Sequence, residues 1–77
     1  MKKSLSEKSF KIIKKMQQSE LTESYIYEAI AKSAKGERNK EVLLTLSAEE
    51  RSHYEVWKTY TDIEMKPQRA KVLFTEL

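Results

Sequence analysis

The fold of this chain is decided by residues 43–60, LLTLSAEERSHYEVWKTY. Six residues of this stretch recur at alternating spacings of three and four, the pattern of a helix face that packs against a neighbour. They are Leu43, Leu46, Glu50, His53, Trp57 and Tyr60, and we call them the 43–60 stripe. Because residues three apart lie on one face of a helix, the side chains of Glu50 and His53 can reach the same point in space.

Glu50 and His53 occupy positions of the stripe that have apolar neighbours on both sides. Burying an unpaired charge there would cost several kcal/mol, on the order of the whole stability of a small domain. The pair therefore needs a partner, and a metal ion is the partner that we expect. The alternative is a core histidine satisfied by one hydrogen bond, beside glutamates that face solvent.

A second stripe precedes the first and becomes polar at its centre. It consists of Phe10, Ile13, Gln17, Glu20, Ser24, Tyr27, Ala31 and Ala34. With a turn near residues 36–39 and a rise of 1.5 Å per residue, Glu20 lies roughly 25 Å from that turn. Glu50 and His53 lie about 20 to 24 Å from it. If the two helices are antiparallel, Glu20 is predicted to be level with Glu50 and His53.

The chain is predicted to be all-α, with helices over about residues 5–35, 40–61 and 67–77. Ser4 or Ser6 is expected to begin the first helix. A serine three residues before a glutamate, as Ser4 is before Glu7, is typical of a helix N-terminus. Gly36 is expected to end that helix, and Asn39 to cap the second. Pro67 suits the first turn of the third, shorter helix.

Length and composition describe a single small domain, residues 1–77, that is marginally stable alone. The sequence has 35% charged residues and no cysteine, so neither a disulfide nor a cysteine-ligated metal site stabilises it. Metal binding or oligomerisation remains as a source of additional stability. The net charge of +3 comes from lysines that alternate with glutamates, a pattern of solvated helix faces, and we expect no nucleic-acid partner. No apolar run reaches the length of a membrane span, and no secretory signal is evident, so a cytoplasmic setting is expected.

Two segments carry a resemblance to a known family. ELTESYIY at residues 20–27 and AEERSH at residues 48–53 resemble the ferritin-like, rubrerythrin-type di-iron carboxylate proteins. The longer stretch 20–61 is similar to ferritin-like domains of vacuolar iron transporter-like proteins. The resemblance implies that Glu20, Glu50 and His53 form half of a di-iron site on a four-helix bundle. A tyrosine seven residues after the first glutamate is also usual in that family, and Tyr27 occupies this position.

The sequence departs from that family in having only one such set of ligands. Members with a complete site in one chain have a second glutamate and a second Glu-x-x-His on two further helices. Pairing two copies as a homodimer, or a higher oligomer, would supply the missing set, and encapsulin-associated ferritin-like proteins are similar in sharing sites between subunits. The alternative is that these 77 residues are part of a longer chain that carries the second set.

The resemblance implies bound iron, for which manganese or zinc could substitute, and oxidation of Fe(II) by dioxygen or peroxide. A non-catalytic helical module associated with iron transport or storage is the alternative function, and a metal-free helical dimer is a third.

Four further residues lie close enough along the helices to assist the ligands, namely Gln17, Glu23, Tyr27 and Glu49. Packing explains Tyr27 equally well, and contact with solvent explains the other three. Trp57 is interpreted as a packing residue alone. Tyr54, beside the stripe, is expected to face solvent or a partner.

Overall fold

A computed structural model describes residues 5–76, with side chains through residue 73. The described residues form three helices and no strand: α1 Glu7–Ser33, α2 Glu37–Thr61 and α3 Arg69–Glu76. The prediction of an all-α chain with two long helices and a short third one is confirmed. Contacts of Gln17 with Thr61 and of Ser24 with Ser47 show that α1 and α2 are antiparallel. The four-helix bundle needs a second pair of helices and stays a prediction.

The N-terminus of α1 is the predicted one. Ser6 has an extended backbone, and its hydroxyl accepts a hydrogen bond from the Ser9 backbone N–H at 3.1 Å. This contact satisfies one of the N–H groups that the first helical turn leaves without a partner. The polar segment 17–24 does not interrupt the helix, which continues from Glu7 to Ser33.

The turn between α1 and α2 differs from the prediction in its caps. Gly36, with φ of 87°, immediately precedes α2 rather than ending α1, which is capped by Ala34. The prediction that Asn39 caps α2 is wrong, because Asn39 lies inside the first turn of that helix. Its side-chain amide donates to the Lys35 carbonyl at 2.9 Å, so Asn39 closes the turn between the helices instead.

The face of α2 that packs most closely on α1 lies beside the 43–60 stripe. Its buried residues are Ser47, Tyr54 and Thr61, spaced seven apart. The expectation that Tyr54 faces solvent or a partner is therefore wrong: only 3% of it is exposed. The reason is that Tyr54 has a polar partner inside the fold, since its hydroxyl accepts a hydrogen bond from the Met65 backbone N–H at 2.9 Å.

Residues 62–68 connect α2 to α3 and are held against α1 by glutamine side chains. Gln17 is fully buried; its amide donates to the Ile63 carbonyl at 2.8 Å, and its carbonyl oxygen accepts from the Thr61 hydroxyl at 2.6 Å. The neighbouring Gln18 donates to the Lys66 carbonyl, also at 2.8 Å. Because backbone groups of an irregular segment need partners, these bonds fix the path of the connector.

The third helix begins two residues later than predicted, at Arg69 instead of Pro67. Its first backbone hydrogen bonds are accepted by the Gln68 carbonyl, and the Gln68 N–H donates to the Thr22 hydroxyl at 3.0 Å. Docking of Gln68 on α1 thus sets the start of α3. Val72 is buried, whereas Leu73 is 59% exposed. The predicted end at Leu77 lies outside the described residues.

Candidate metal centre

Glu20, Glu50 and His53 come together as the spacing predicts. Each offers one ligand atom, and the three atoms lie within 4.8 Å of one another. The Nδ1 atom of His53 is 3.0 Å from Oε1 of Glu50 and 3.7 Å from Oε1 of Glu20. The same imidazole nitrogen therefore faces both carboxylates, one from its own helix and one from the opposite helix. This arrangement could hold a metal ion.

The three side chains differ in their exposure to solvent. Those of Glu20 and Glu50 are mostly buried, with 18% and 19% exposed, whereas that of His53 is 56% exposed. The stripe that carries Glu50 and His53 thus lies along the margin of the α1–α2 interface, and His53 is not a core residue. The cluster is open to solvent on the histidine side, so an ion could reach it without unfolding of the hairpin.

Glu23 adds a third carboxylate to the cluster. Its carboxyl group shares a hydrogen bond with Glu50, and this bond, desolvation and the charges of Glu50 and Glu20 raise the pKa of Glu23 to about 7. The same hydrogen bond lowers the pKa of Glu50, and His53 contributes to that lowering. Lys71 acts on the pKa of Glu23 in the opposite direction, but more weakly. Glu23 therefore holds its proton more tightly than an isolated carboxyl group does.

Small polar residues hold the two helices together at the level of the cluster. The Ser47 hydroxyl donates to the Ser24 carbonyl at 2.8 Å, and the Ser24 hydroxyl accepts from Nε of Arg51 at 3.0 Å. The Arg51 guanidinium also stacks on the Tyr25 ring, 4.6 Å from its centroid. Although Arg51 follows Glu50 in sequence, these contacts commit its positive charge to Ser24 and Tyr25.

The residues expected to assist the ligands have different placements. Gln17 hydrogen-bonds Thr61 and Ile63, and Glu49 is exposed beside Val42 and Leu46 on the surface. Tyr27 is half-buried, and among the described residues its hydroxyl makes no hydrogen bond to Glu20, Glu50 or His53. Of the four, Glu23 is the one that the structure joins to the cluster.

Trp57 has a feature that the periodicity of the sequence did not reveal. Its indole Nε1 atom is buried and has no hydrogen-bond partner among the described residues, and the same holds for Oε2 of Glu20. Leaving a buried donor or acceptor unpaired costs about 1 to 3 kcal/mol. Packing alone therefore leaves the Trp57 donor unaccounted for. The signal that could have identified it is its position one turn after His53 on the same stripe.

No helix among the described residues combines the length and the apolar character that a bilayer crossing requires. Comparison of the chain with protein-family models, with curated proteins and with solved structures gives no match.

Proposed function

We propose that this chain is a metal-binding protein whose site is built by Glu20, Glu50 and His53, and that the metal is iron. The observation that carries the proposal is the convergence of three ligand atoms within 4.8 Å from two antiparallel helices. The spacing of Glu50 and His53 on α2 predicts that they are neighbours, and the distance of Glu20 from the turn predicts that it lies at their level.

The chemistry of the donor set fits a divalent cation. Two carboxylates and one imidazole lie within 4.8 Å of one another, and Glu23 adjoins them. The pKa of Glu23 is raised first by its hydrogen bond with Glu50 and then by desolvation and by the charges of Glu50 and Glu20. Oε2 of Glu20 is buried and has no hydrogen-bond donor among the described residues. A bound cation would compensate this charge, and carboxylate with imidazole is a donor combination that suits iron and also accepts manganese or zinc.

The residues of the site would act on the metal in distinct ways. Glu20 and Glu50 would neutralise its charge, and Nδ1 of His53 would supply a neutral nitrogen ligand. Since cation binding opposes protonation of nearby carboxylates, it would also release the proton that Glu23 retains. Bound iron would supply the redox chemistry, namely electrons for dioxygen or peroxide in a ferroxidase- or rubrerythrin-like oxidation of Fe(II).

We further propose that two copies pair as a homodimer in which two such sites form a di-iron centre on a four-helix bundle. One chain contributes too few ligands for two irons. Exposed apolar side chains flank the cluster: Met16, one turn before Glu20, is 42% exposed, and Val56, three residues after His53, is 54% exposed. A second copy would bury both. The ferritin-like resemblance supports the same assembly, and the absence of cysteine suits a reducing cytoplasmic setting.

Anaerobic equilibrium dialysis with Fe(II) tests the site. His53→Ala removes a ligand, and Glu49→Ala is the matched control, because both residues are exposed on α2 and Glu49 lies outside the cluster. Loss of a residue that merely supports a ligand costs about 10 to 100-fold in metal affinity, so loss of His53 should cost at least that. Equal affinities of the two variants would refute the assignment.

The alternative function is a non-catalytic helical module of iron transport or storage. It is favoured by the exposed apolar residues, which a different protein could cover as well as a second copy. Admitting air to the Fe(II)-loaded protein separates the two functions, since ferroxidase activity produces an increase in Fe(III) absorbance faster than in buffer. Tight binding with no such acceleration would favour the module.

A further inference from the structure

The two buried polar atoms without partners belong to side chains on facing helices. Nε1 of Trp57 is a donor only, and Oε2 of Glu20 is an acceptor. A buried donor and a buried acceptor that each lack a partner can satisfy one another if side-chain rotation brings them together. Whether they can meet depends on their levels along the hairpin.

Two contacts bracket the levels of Trp57 and Glu20. Gln17, one turn before Glu20, contacts Thr61, one turn after Trp57, at 2.6 Å. Glu20 itself lies 3.7 Å from His53, one turn before Trp57. In this antiparallel pair, Trp57 is therefore level with the turn of α1 that runs from Gln17 to Glu20.

The direction of the side chains brings the two groups closer still. Side chains on an α-helix lean toward its N-terminus. The Glu20 carboxylate therefore leans toward the level of Gln17 and Trp57, while the Trp57 indole leans toward the level of His53 and Glu20. Since the helices run in opposite directions, the two side chains lean toward one another.

We infer that Trp57 is a positioning residue for the metal site, which donates its indole N–H to Oε2 of Glu20 and leaves Oε1 for the metal. The division of the carboxylate follows from the geometry, because Oε1 is the oxygen that faces Nδ1 of His53. Such a bond would fix the Glu20 side chain and prevent it from binding the metal through both oxygens. This inference rests on the proposed function for its metal-binding half.

The single tryptophan of the chain makes the hydrogen bond directly observable. In a ¹H–¹⁵N spectrum of the metal-free protein, one indole cross-peak reports the Trp57 N–H. Glu20→Leu removes the acceptor and should move this peak upfield and accelerate its exchange with solvent. Glu20→Gln, which keeps a side-chain oxygen, should leave it near the wild-type position, and Glu23→Gln serves as the control. A peak that is unchanged in Glu20→Leu would overturn the inference.

Zinc affinity tests the consequence for the site. Trp57→Phe keeps an aromatic ring but removes the donor, and it should weaken Zn(II) binding by about 10 to 100-fold. Tyr60→Phe, which alters the ring neighbouring Trp57, should bind Zn(II) as the wild type does. Undiminished affinity in Trp57→Phe would overturn the positioning role. If wild-type protein binds no metal while the indole peak still responds to Glu20→Leu, the proposed function fails and the hydrogen bond stands.

Discussion

Replacing Gln17 by alanine should destabilise the fold more than any other single polar-to-alanine change on α1. The Gln17 side chain is completely buried and makes two hydrogen bonds, one to the Ile63 carbonyl at 2.8 Å and one from the Thr61 hydroxyl at 2.6 Å. Truncation leaves the buried Thr61 hydroxyl and the half-buried Ile63 carbonyl without this partner, at about 1 to 3 kcal/mol each. The expected loss is therefore about 2 to 6 kcal/mol, a large part of the stability of a small domain.

Gln18→Ala is the matched control for this prediction. Gln18 is the next residue and donates to the Lys66 carbonyl over the same distance, 2.8 Å, but that contact is exposed to solvent. Its second contact, to the Thr22 hydroxyl, is longer at 3.2 Å, and this hydroxyl keeps the hydrogen bond from the Gln68 N–H when Gln18 is truncated. Water can replace an exposed hydrogen bond, so its loss should cost no more than about 1 kcal/mol.

Urea unfolding followed by circular dichroism measures both variants, and a shifted midpoint with an unchanged slope identifies a change in stability alone. If Gln17→Ala costs no more than Gln18→Ala, the connector is not held by Gln17, and the account of how α3 reaches α1 is wrong.

Three further predictions concern the cluster and the turn. The metal-free protein should lose stability as pH rises from about 4.5 to about 7, because the folded state holds the Glu23 proton, with a pKa near 7, more tightly than the unfolded state does. Glu50, whose pKa is lowered, acts oppositely below about 4.5; Glu23→Gln should flatten the upper part of a thermal-melting profile against pH, and an unaltered profile would contradict this assignment. Gly36→Ala should cost about 1 to 3 kcal/mol through its positive φ alone, since an added Cβ would meet no atom within 4 Å; equal urea midpoints would refute it. Zn(II) at 100 times its Kd should stabilise the fold by about 2.7 kcal/mol, and a chelator should reverse this. A calorimetric melting temperature that changes with neither Zn(II) nor chelator would exclude binding to the folded state.

Periodicity predicted the level of the site better than its burial. The distances of Glu20, Glu50 and His53 from the turn depend only on the helical rise, and the structure brings the three together. Their exposure depends on the rotation of each helix about its own axis. A stripe in the sequence determines that rotation only to within about one residue position. In the structure, Ser47 and Tyr54 of α2 are buried against α1, and His53 therefore lies at the margin of the interface.

The contacts of the connector lay beyond what the sequence could predict. From the sequence, Gln17 is equally consistent with a position beside a metal site and with contact to water. Its partners in the structure depend on the path of residues 62–68. That path has no periodic signal. Asn39 was misplaced for a related reason: asparagine can cap a helix or bond to a carbonyl inside the turn, and only the geometry at Gly36 selects between them.

The unpaired Trp57 donor could not be predicted from the helical stripe. A helical stripe indicates that a tryptophan packs against a neighbouring helix, but it does not locate the indole nitrogen. In the structure, that nitrogen is buried without a partner among the described residues, as is one oxygen of Glu20. Polar atoms of large side chains need to be considered separately from the apolar surface that carries them.

Anomalous scattering at the iron edge, from crystals grown anaerobically with Fe(II), would locate the metal relative to Glu20, Glu50 and His53. We predict an iron peak bounded by Glu20, Glu50 and His53, with a second, symmetry-related peak beside it where two chains meet. Iron bound elsewhere on the surface, or no peak between these three residues at saturating Fe(II), would contradict the claim that they form a metal site.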